Sequence, residues 1–365
     1  MSITVRLAHE ADNRKILELV DRVYQNGLVR LGFQRQPDFF IGARIVGDEQ
    51  VIAVADDAEH PDRLAGLTVI SSRDLFISGK KRRVHYSGDT RVDFPYRRRG
   101  IASQLFVEQR KHRSTEDLMH GIVLAGNTAP LEAAKRVEDG VLFDFWVSHT
   151  IETSFIYTRK VTPQLPAGVS IRAATAEDVP AMQAFFDEEA PRRNGYPVYD
   201  FAALVAGDPY YTGIRLDDYA LAFKGGRLIG MLGVWDQKGF KQTRVLGYKG
   251  WVNALRPLYN GYAAMFGGMK LPAAGGSLNY TALHTPLVKD DDKALFQALI
   301  DWQMARDGGR HDAMATAWTQ GDPLAEVPRR YKRQKLLSNH FWLSYGEDPR
   351  PGIDNRPLFV ELARL

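Results

Sequence analysis

Residues 3–8 alternate apolar and polar side chains, and that alternation predicts a short strand. Asp12 follows. Ile16, Leu17, Leu19, Val20 and Val23 then recur at the spacing of an amphipathic helix with those residues inward. Residues 24–40, with Gly27, Gly32 and Pro37, carry no clear pattern. Strand-like runs come at 51–55, 64–71 and 83–93, separated by acidic or Gly-Lys turn segments. Residues 101–113 read as a helix, 122–125 as a short buried strand, 130–137 as a helix, and 141–158 as a pair of strands. Residues 161–168 contain two prolines and a glycine and read as a linker.

After the linker the pattern begins again. Val5-Arg6-Leu7-Ala8 followed by Asp12 matches Ile171-Arg172-Ala173-Ala174 followed by Asp178, an offset of 166. A helix with Met182, Phe185 and Phe186 inward follows, then strands at 219–224 and 228–235. A strand at 278–284 leads to a helix at 293–305, residues 313–318 are strand-like, and Pro323-Leu324 opens a helix as Pro130-Leu131 does. The same element order in both halves predicts an α/β protein of two tandem domains, each a mixed central sheet flanked by helices. The expected boundaries are 1–160, a linker at 161–168, 169–345, and a C-terminal tail at 346–365. An aromatic-rich insertion at 236–277 lengthens the second half.

Composition agrees with two globular domains: 365 residues, 44% apolar and 25% charged. The absence of cysteine excludes disulfides, thiolate metal sites and cysteine nucleophiles. Residues 1–160 carry 24 Lys+Arg against 22 Asp+Glu, and residues 161–365 carry 24 against 22, so each half is +2. A nucleic-acid binder concentrates positive charge on one module, and this even split argues against one. Basic clusters at 80–83, 97–99 and 329–333 read first as solvated faces. No apolar run approaches the roughly 20 residues that span a bilayer. The start lacks the basic-then-apolar order of a signal peptide. The expectation is a cytoplasmic protein with neither membrane nor nucleic-acid partner.

Candidate chemistry concentrates in residues 92–106, where a strand runs through a basic turn into a helix. Unpaired N–H groups at a helix start suit a phosphate, and Gly100 with the small Ala102 lets one approach the backbone. Arg97-x-x-Gly100-x-Ala102 resembles the Q/R-x-x-G-x-G/A acetyl-CoA motif of the GCN5-related N-acetyltransferases. Val92 and Tyr96 match the family's usual approach to the motif, with proline displaced to Pro95. The surrounding element order resembles that family over about 1–159, and again over about 169–345.

The resemblance implies that Arg97, Arg98, Arg99, Gly100, Ile101, Ala102 and Ser103 bind the diphosphate of acetyl-CoA, the cosubstrate. It implies that Arg91, Val92 and Asp93 meet the pantetheine and acetyl carbonyl around a strand bulge. Asn127 matches a position that often bonds the coenzyme, and it also reads as a helix N-cap. Asp89 and Asp93 are candidate bases, with His85 and Tyr86 farther back. The family's usual tyrosine acid is missing from residues 133–141, which leaves Tyr86, Tyr96 or water to protonate the thiolate. No metal-ligand spacing appears among the nine histidines. The expected function is transfer of an acetyl group to a small-molecule or peptide amine. The alternative is a non-catalytic acetyl-CoA-binding or regulatory protein, and a homodimer stays open. Matching Leu105-Phe106 to Leu295-Phe296, an offset of 190, sets Asp290 opposite Gly100 and predicts that the second half has lost the coenzyme site.

Overall fold

The computed structural model describes residues 3–25, 27–114, 117–128, 131–132 and 142–365. The first half runs β1 (Ile3–Leu7), α1 (Asn13–Arg22), β2 (Val29–Gln34), α2 (Phe39–Arg44), β3 (Glu49–Asp57), β4 (Leu64–Ile77), β5 (Lys80–Val92), α3 (Ile101–Arg110), β6 (Leu118–Leu124) and β7 (Asp144–Tyr157). The second runs β8 (Val169–Ala173), α4 (Val179–Glu189), β9 (Tyr196–Pro197), α5 (Phe201–Val205), β10 (Tyr219–Lys224), β11 (Arg227–Trp235), β12 (Gln242–Tyr248), α6 (Val252–Phe266), β13 (Tyr280–Val288), α7 (Lys293–Asp307), β14 (Ala313–Thr319), α8 (Glu326–Arg329) and β15 (Arg333–Ser344).

Each half opens with the same clamp. Arg6 donates to both carboxylate oxygens of Asp12 at 2.7 and 2.9 Å, and Arg172 to both of Asp178 at 2.6 Å. Each aspartate also accepts the backbone N–H three residues before it, at His9 or Thr175. The first strand is thereby tied to the turn that starts the first helix. Bidentate arginine–carboxylate pairs are the strong, orienting kind, which explains why the motif is legible twice.

The helices α3 and α7 lie on their sheets over glycine. A Cβ on Gly66 would come within 3.0 Å of Ile101 and 3.1 Å of Leu105; one on Gly230 would come within 3.2 Å of Leu295 and Leu299. Gln109 bonds the carbonyls of Val51 and Thr68, and Gln303 those of Asp218 and Leu232. These three correspondences, 101 with 295, 105 with 299 and 109 with 303, set the helix offset at 194. The offset of 190 expected from the Leu-Phe pairs is therefore one turn out. A four-residue slip keeps an apolar stripe on the same face, so the pattern could not detect it.

Strands alternate as a two-sided sheet demands. In β3, Ile52 and Val54 pack with α1 and α2, while Ala53 and Ala55 pack with α3. Among the described residues one mixed sheet of 13 strands results, in the order β1-β3-β4-β5-β6-β15-β7-β14-β13-β11-β10-β8, with β9 on the far end of β4. The last strands are exchanged. β15 pairs antiparallel with β6 on one side and β7 on the other, and β7 in turn pairs with β14. A second, two-stranded sheet joins β12 of the insertion to β2, within the segment that carried no pattern.

Residues 141–158 were expected as two strands; 144–157 form one. Residues 346–365 fold back on the sheet and bury Leu358, Phe359, Val360, Ala363 and Arg364. The helix expected at 130–137 lies outside the described residues, apart from Leu131 and Glu132.

Candidate active site

Strand β5 pairs with β4 along its length but with its parallel neighbour β6 only where Val84–Ser87 meets Leu118–Gly121. The register with β4 passes from Val69–Gly88 to Leu67–Arg91, so β5 carries one extra residue, and Asp89 takes φ +48°. Such a bulge bends the strand and frees backbone groups. Past it β5 and β6 part, and the gap between their C-terminal ends leads to the 93–100 turn.

The turn is pinned at Asp93 and at Tyr96. Asp93 accepts Arg22 Nε at 2.7 Å, Arg63 Nη2 at 2.8 Å and the Phe94 N–H at 2.8 Å. Burial opposes its charge, but the two guanidiniums hold the carboxyl below its usual value. Tyr96 is buried against α3 and donates to Asp57 at 2.7 Å; burial, then that bond, push its phenol up. After them Arg98 (φ +63°) and Gly100 (φ +73°) adopt left-handed conformations. Gly100 is the N-cap of α3 and supplies no side-chain cap, and a Cβ there would meet nothing within 4 Å. The N-cap thus leaves the first-turn amides of α3 without a side-chain cap of its own, as a phosphate-binding turn requires.

Arg97, Arg98, Arg99 and Gly100 are exposed, Ile101 is buried, and Ala102 and Ser103 are half-buried. The Arg97 guanidinium lies 4.0 Å from the Phe94 ring centroid, and its Nε donates to Val92 O. Arg91 reaches away from the gap, to the carbonyls of Val23 and Phe33 and to Asp89. Asn127 is exposed just beyond β6, its N–H on Leu124 O. The segment 133–141, where the family tyrosine is missing, lies outside the described residues.

Tyr86 and Asp89 are brought together. With Arg35, Val69, Ser71 and Gly88 they line a small cavity on the α1–α2 side of the sheet. Burial works against the Asp89 charge, but Arg35 at 2.5 Å and Arg91 at 3.2 Å hold its carboxyl far below the usual range. Burial, helped by Asp89, pushes the Tyr86 phenol up to about 12, so it stays protonated at neutral pH. A Cβ on Gly88 would sit 2.6 Å from Tyr86 Cε1, so this glycine makes room for the ring. His85 points elsewhere: its Nδ1 meets Ser72 Oγ at 2.7 Å.

Three neighbours escaped sequence reasoning. Arg35 follows β2 in the unpatterned stretch. Lys241 comes from the insertion and donates to Leu365 O; burial, then Arg35, push its ammonium down to about 7. His120 lies beside Tyr86, ring centroids 5.1 Å apart, and its Nδ1 is 3.1 Å from Nε2 of His340 across the β6–β15 seam. Burial pushes both imidazoles down, His340 to about 3, so the pair is neutral and one donates to the other. No local pattern marks any of these, because each acquires its neighbours from distant strands. Among the described residues no three His, Asp or Glu side chains converge on a metal-sized site.

The second half repeats the backbone device. β13 pairs in parallel with β14 at Tyr280–Ala282, then bulges, with Thr285 at φ +50°. There, however, Glu361 accepts the Thr285 N–H at 3.1 Å, and residues 362–364 pack on β13 and β14. Asp292 caps α7, accepting the amides of Ala294 and Leu295 at 2.9 and 3.0 Å. Asp290 and Asp291 pair with Arg192 at 3.5 Å and Arg193 at 2.5 Å.

No protein-family profile matches the chain, and no curated protein matches it in sequence. Solved structures do match in fold. A tandem GNAT protein from the clavulanic acid biosynthesis pathway superposes with TM-score 0.55 at 12% identity, over 95% of this chain and 100% of its own. N-myristoyltransferase of Saccharomyces cerevisiae with bound myristoyl-CoA gives 0.60 at 12%, over 97% and 87%. The glucosamine N-acetyltransferase region of a fungal multi-domain β-N-acetylglucosaminidase gives 0.58 at 10%, over 94% of this chain, which spans 38% of that one. The chain has the tandem fold of the GCN5-related N-acetyltransferases.

Proposed function

We propose that the protein is an acetyl-CoA-dependent N-acyltransferase working from its first half. The observation that carries this reading is the uncapped, open start of α3 at Gly100, placed at the mouth of the gap between β5 and β6. In this reading the amides of Arg98, Arg99, Gly100, Ile101 and Ala102 hold the diphosphate, with Arg97 and the Ser103 hydroxyl beside them. The pantetheine lies along Arg91, Val92 and Asp93, near Asn127, and the thioester carbonyl sits at the bulge. The acceptor amine enters under β2 and β12.

The reaction is a direct transfer. The amine nitrogen bonds the carbonyl carbon, backbone N–H groups stabilise the oxyanion, the C–S bond breaks and the thiolate takes a proton, while the proton lost from the amine nitrogen passes to water and from there back to the donor. Tyr86, protonated at neutral pH, is the proton donor. Asp93 and Tyr96 stand outside the chemistry, since their hydrogen bonds shape the turn. Asp89, paired with two arginines, orients the bulge.

Titration calorimetry with acetyl-CoA tests the site, and a screen of amine acceptors for released thiol tests the chemistry. One acetyl-CoA should bind per chain, since Glu361 and Asp292 already satisfy the corresponding amides of the second half. Absence of binding would sink the reading. Binding without thiol release on any acceptor would favour a non-catalytic binder, a reading supported by the pairing of Asp89, Asp93 and Tyr96.

A further inference from the structure

Helix α6 is built inside out. Trp251, Leu255, Leu258, Tyr262 and Met265 fall at i, i+4, i+7, i+11 and i+14, forming one stripe from the residue before the helix to its last turn. All are exposed, Leu258 by 74% and Met265 by 77%. Two of its polar side chains, Arg256 and Asn260, turn toward the protein instead. Asn260 exchanges two hydrogen bonds with the Leu271 backbone, and Arg256 also points to that carbonyl. A helix facing water carries the reverse arrangement, and a contiguous apolar stripe of this size marks a surface that something covers.

The charge around the stripe narrows what that is. Residues 237–289 contain no Asp or Glu and seven Lys or Arg. Lys249 stands exposed before the helix. Lys332 stands at its other end, donating to Phe266 O at 2.9 Å with its ammonium 5.0 Å from the Tyr262 ring centroid. A second copy of the chain suits this face poorly. Any two-fold pairing of the stripe would bring these lysines together at both ends, with no carboxylate on the helix to offset them. A surface that is apolar beneath and anionic at its rim fits both features: side chains such as Trp and Leu enter the acyl boundary while lysines meet the headgroups. Gly250 (φ +52°) and Gly267 (φ +75°) stand at the two ends of the helix.

We propose that α6 is an interfacial helix that docks the protein on anionic lipid surfaces. No helix among the described residues is long and apolar enough to cross a membrane, so α6 lies in the plane of the surface. The expectation of no membrane partner rested on spanning runs, and this signal resides in exposure instead.

Co-sedimentation of the full chain with phosphatidylcholine vesicles, with and without about one third phosphatidylglycerol, tests the proposal. Binding should appear on the anionic vesicles and fall at least about tenfold in the Leu258→Glu/Met265→Glu double variant. The Lys249→Gln/Lys332→Gln variant, which keeps every apolar side chain of the stripe, should also weaken it. The changed side chains are exposed, so thermal midpoints should stay in place. Tryptophan emission should shift blue on anionic vesicles, and Trp251→Phe should remove the shift. Failure to bind anionic vesicles, or equal binding to neutral and anionic ones, overturns the proposal. So does a dimer that dissociates in the Leu258→Glu/Met265→Glu variant without any vesicle binding, which would assign the stripe to a second copy.

Discussion

The two halves of this chain share a backbone device and differ in what they do with it. In each, a strand bulges at a residue of positive φ, Asp89 or Thr285, and parts from its parallel neighbour ahead of a helix. In the first half the helix begins at a glycine that caps nothing. In the second it begins at Asp292, which takes two amides for itself, and Glu361 takes the bulge N–H. A free amide at a helix start is an anion site, and a capped one is a structural end. The difference teaches that a few side chains decide whether the helix entrance is open or capped, while the fold itself persists on packing.

The comparison breaks most visibly at Gly100. Gly100→Glu should abolish acetyl-CoA binding by calorimetry, because it places a carboxylate in the proposed diphosphate site. Stability should move little: the new side chain meets open space, and a left-handed non-glycine residue costs about 1–2 kcal/mol. Wild-type affinity in this variant would show that the α3 start is not the site.

A smaller effect is expected at Tyr86. Tyr86→Phe should lower turnover by about 10–100-fold with coenzyme affinity unchanged. Tyr96→Phe should act oppositely, on stability, by stripping a buried bond from Asp57; about 1–3 kcal/mol is expected from denaturant curves. Equal turnover losses in both would place Tyr96 in the chemistry.

Acid should act through the seam between the halves. His120 and His340 are pushed below the ordinary imidazole value of 6.5, so the unfolded chain binds their protons first. Stability is therefore full above that value and declines as pH falls toward the folded value of about 3 for His340. Urea midpoints measured from neutral pH downward check the sign, and a flat profile between about pH 6.5 and 5 would remove the pair from the account.

The smallest effect tests the repeat itself. Asp12→Ala and Asp178→Ala should each cost about 1–3 kcal/mol, read as shifts in thermal midpoint. Asp12→Ala should cost less, because Arg6 retains Asp56 at 2.7 Å. Arg172 has no second carboxylate within salt-bridge distance among the described residues.

Local chemistry was legible in the chain, and long-range assembly was not. The Arg6–Asp12 and Arg172–Asp178 clamps and the Gly100 turn depend on residues a few positions apart, so spacing marked the repeat and the turn, while the bidentate pairing came only with the fold. The helix offset was misjudged by one turn because amphipathic periodicity is blind to a four-residue slip; only Gly66 and Gly230, read with their contacts, expose it. Residues 29–34 form a strand because β12, more than 200 residues on, supplies the partner. The cavity beside Tyr86 draws Arg35 from that same stretch, and no motif announces it.

The exchange of last strands has a consequence for synthesis. As the chain leaves the ribosome, β6 and β7 are complete long before β15, which must insert between them. Until residue 344 emerges, the first half has two unpaired edges flanking a vacant slot, both able to template association with other chains. The first half, although encoded first, is finished last. A nascent chain halted before residue 313, which lacks both strands that flank β7, should be soluble only with help from a chaperone and should show little amide protection in β7.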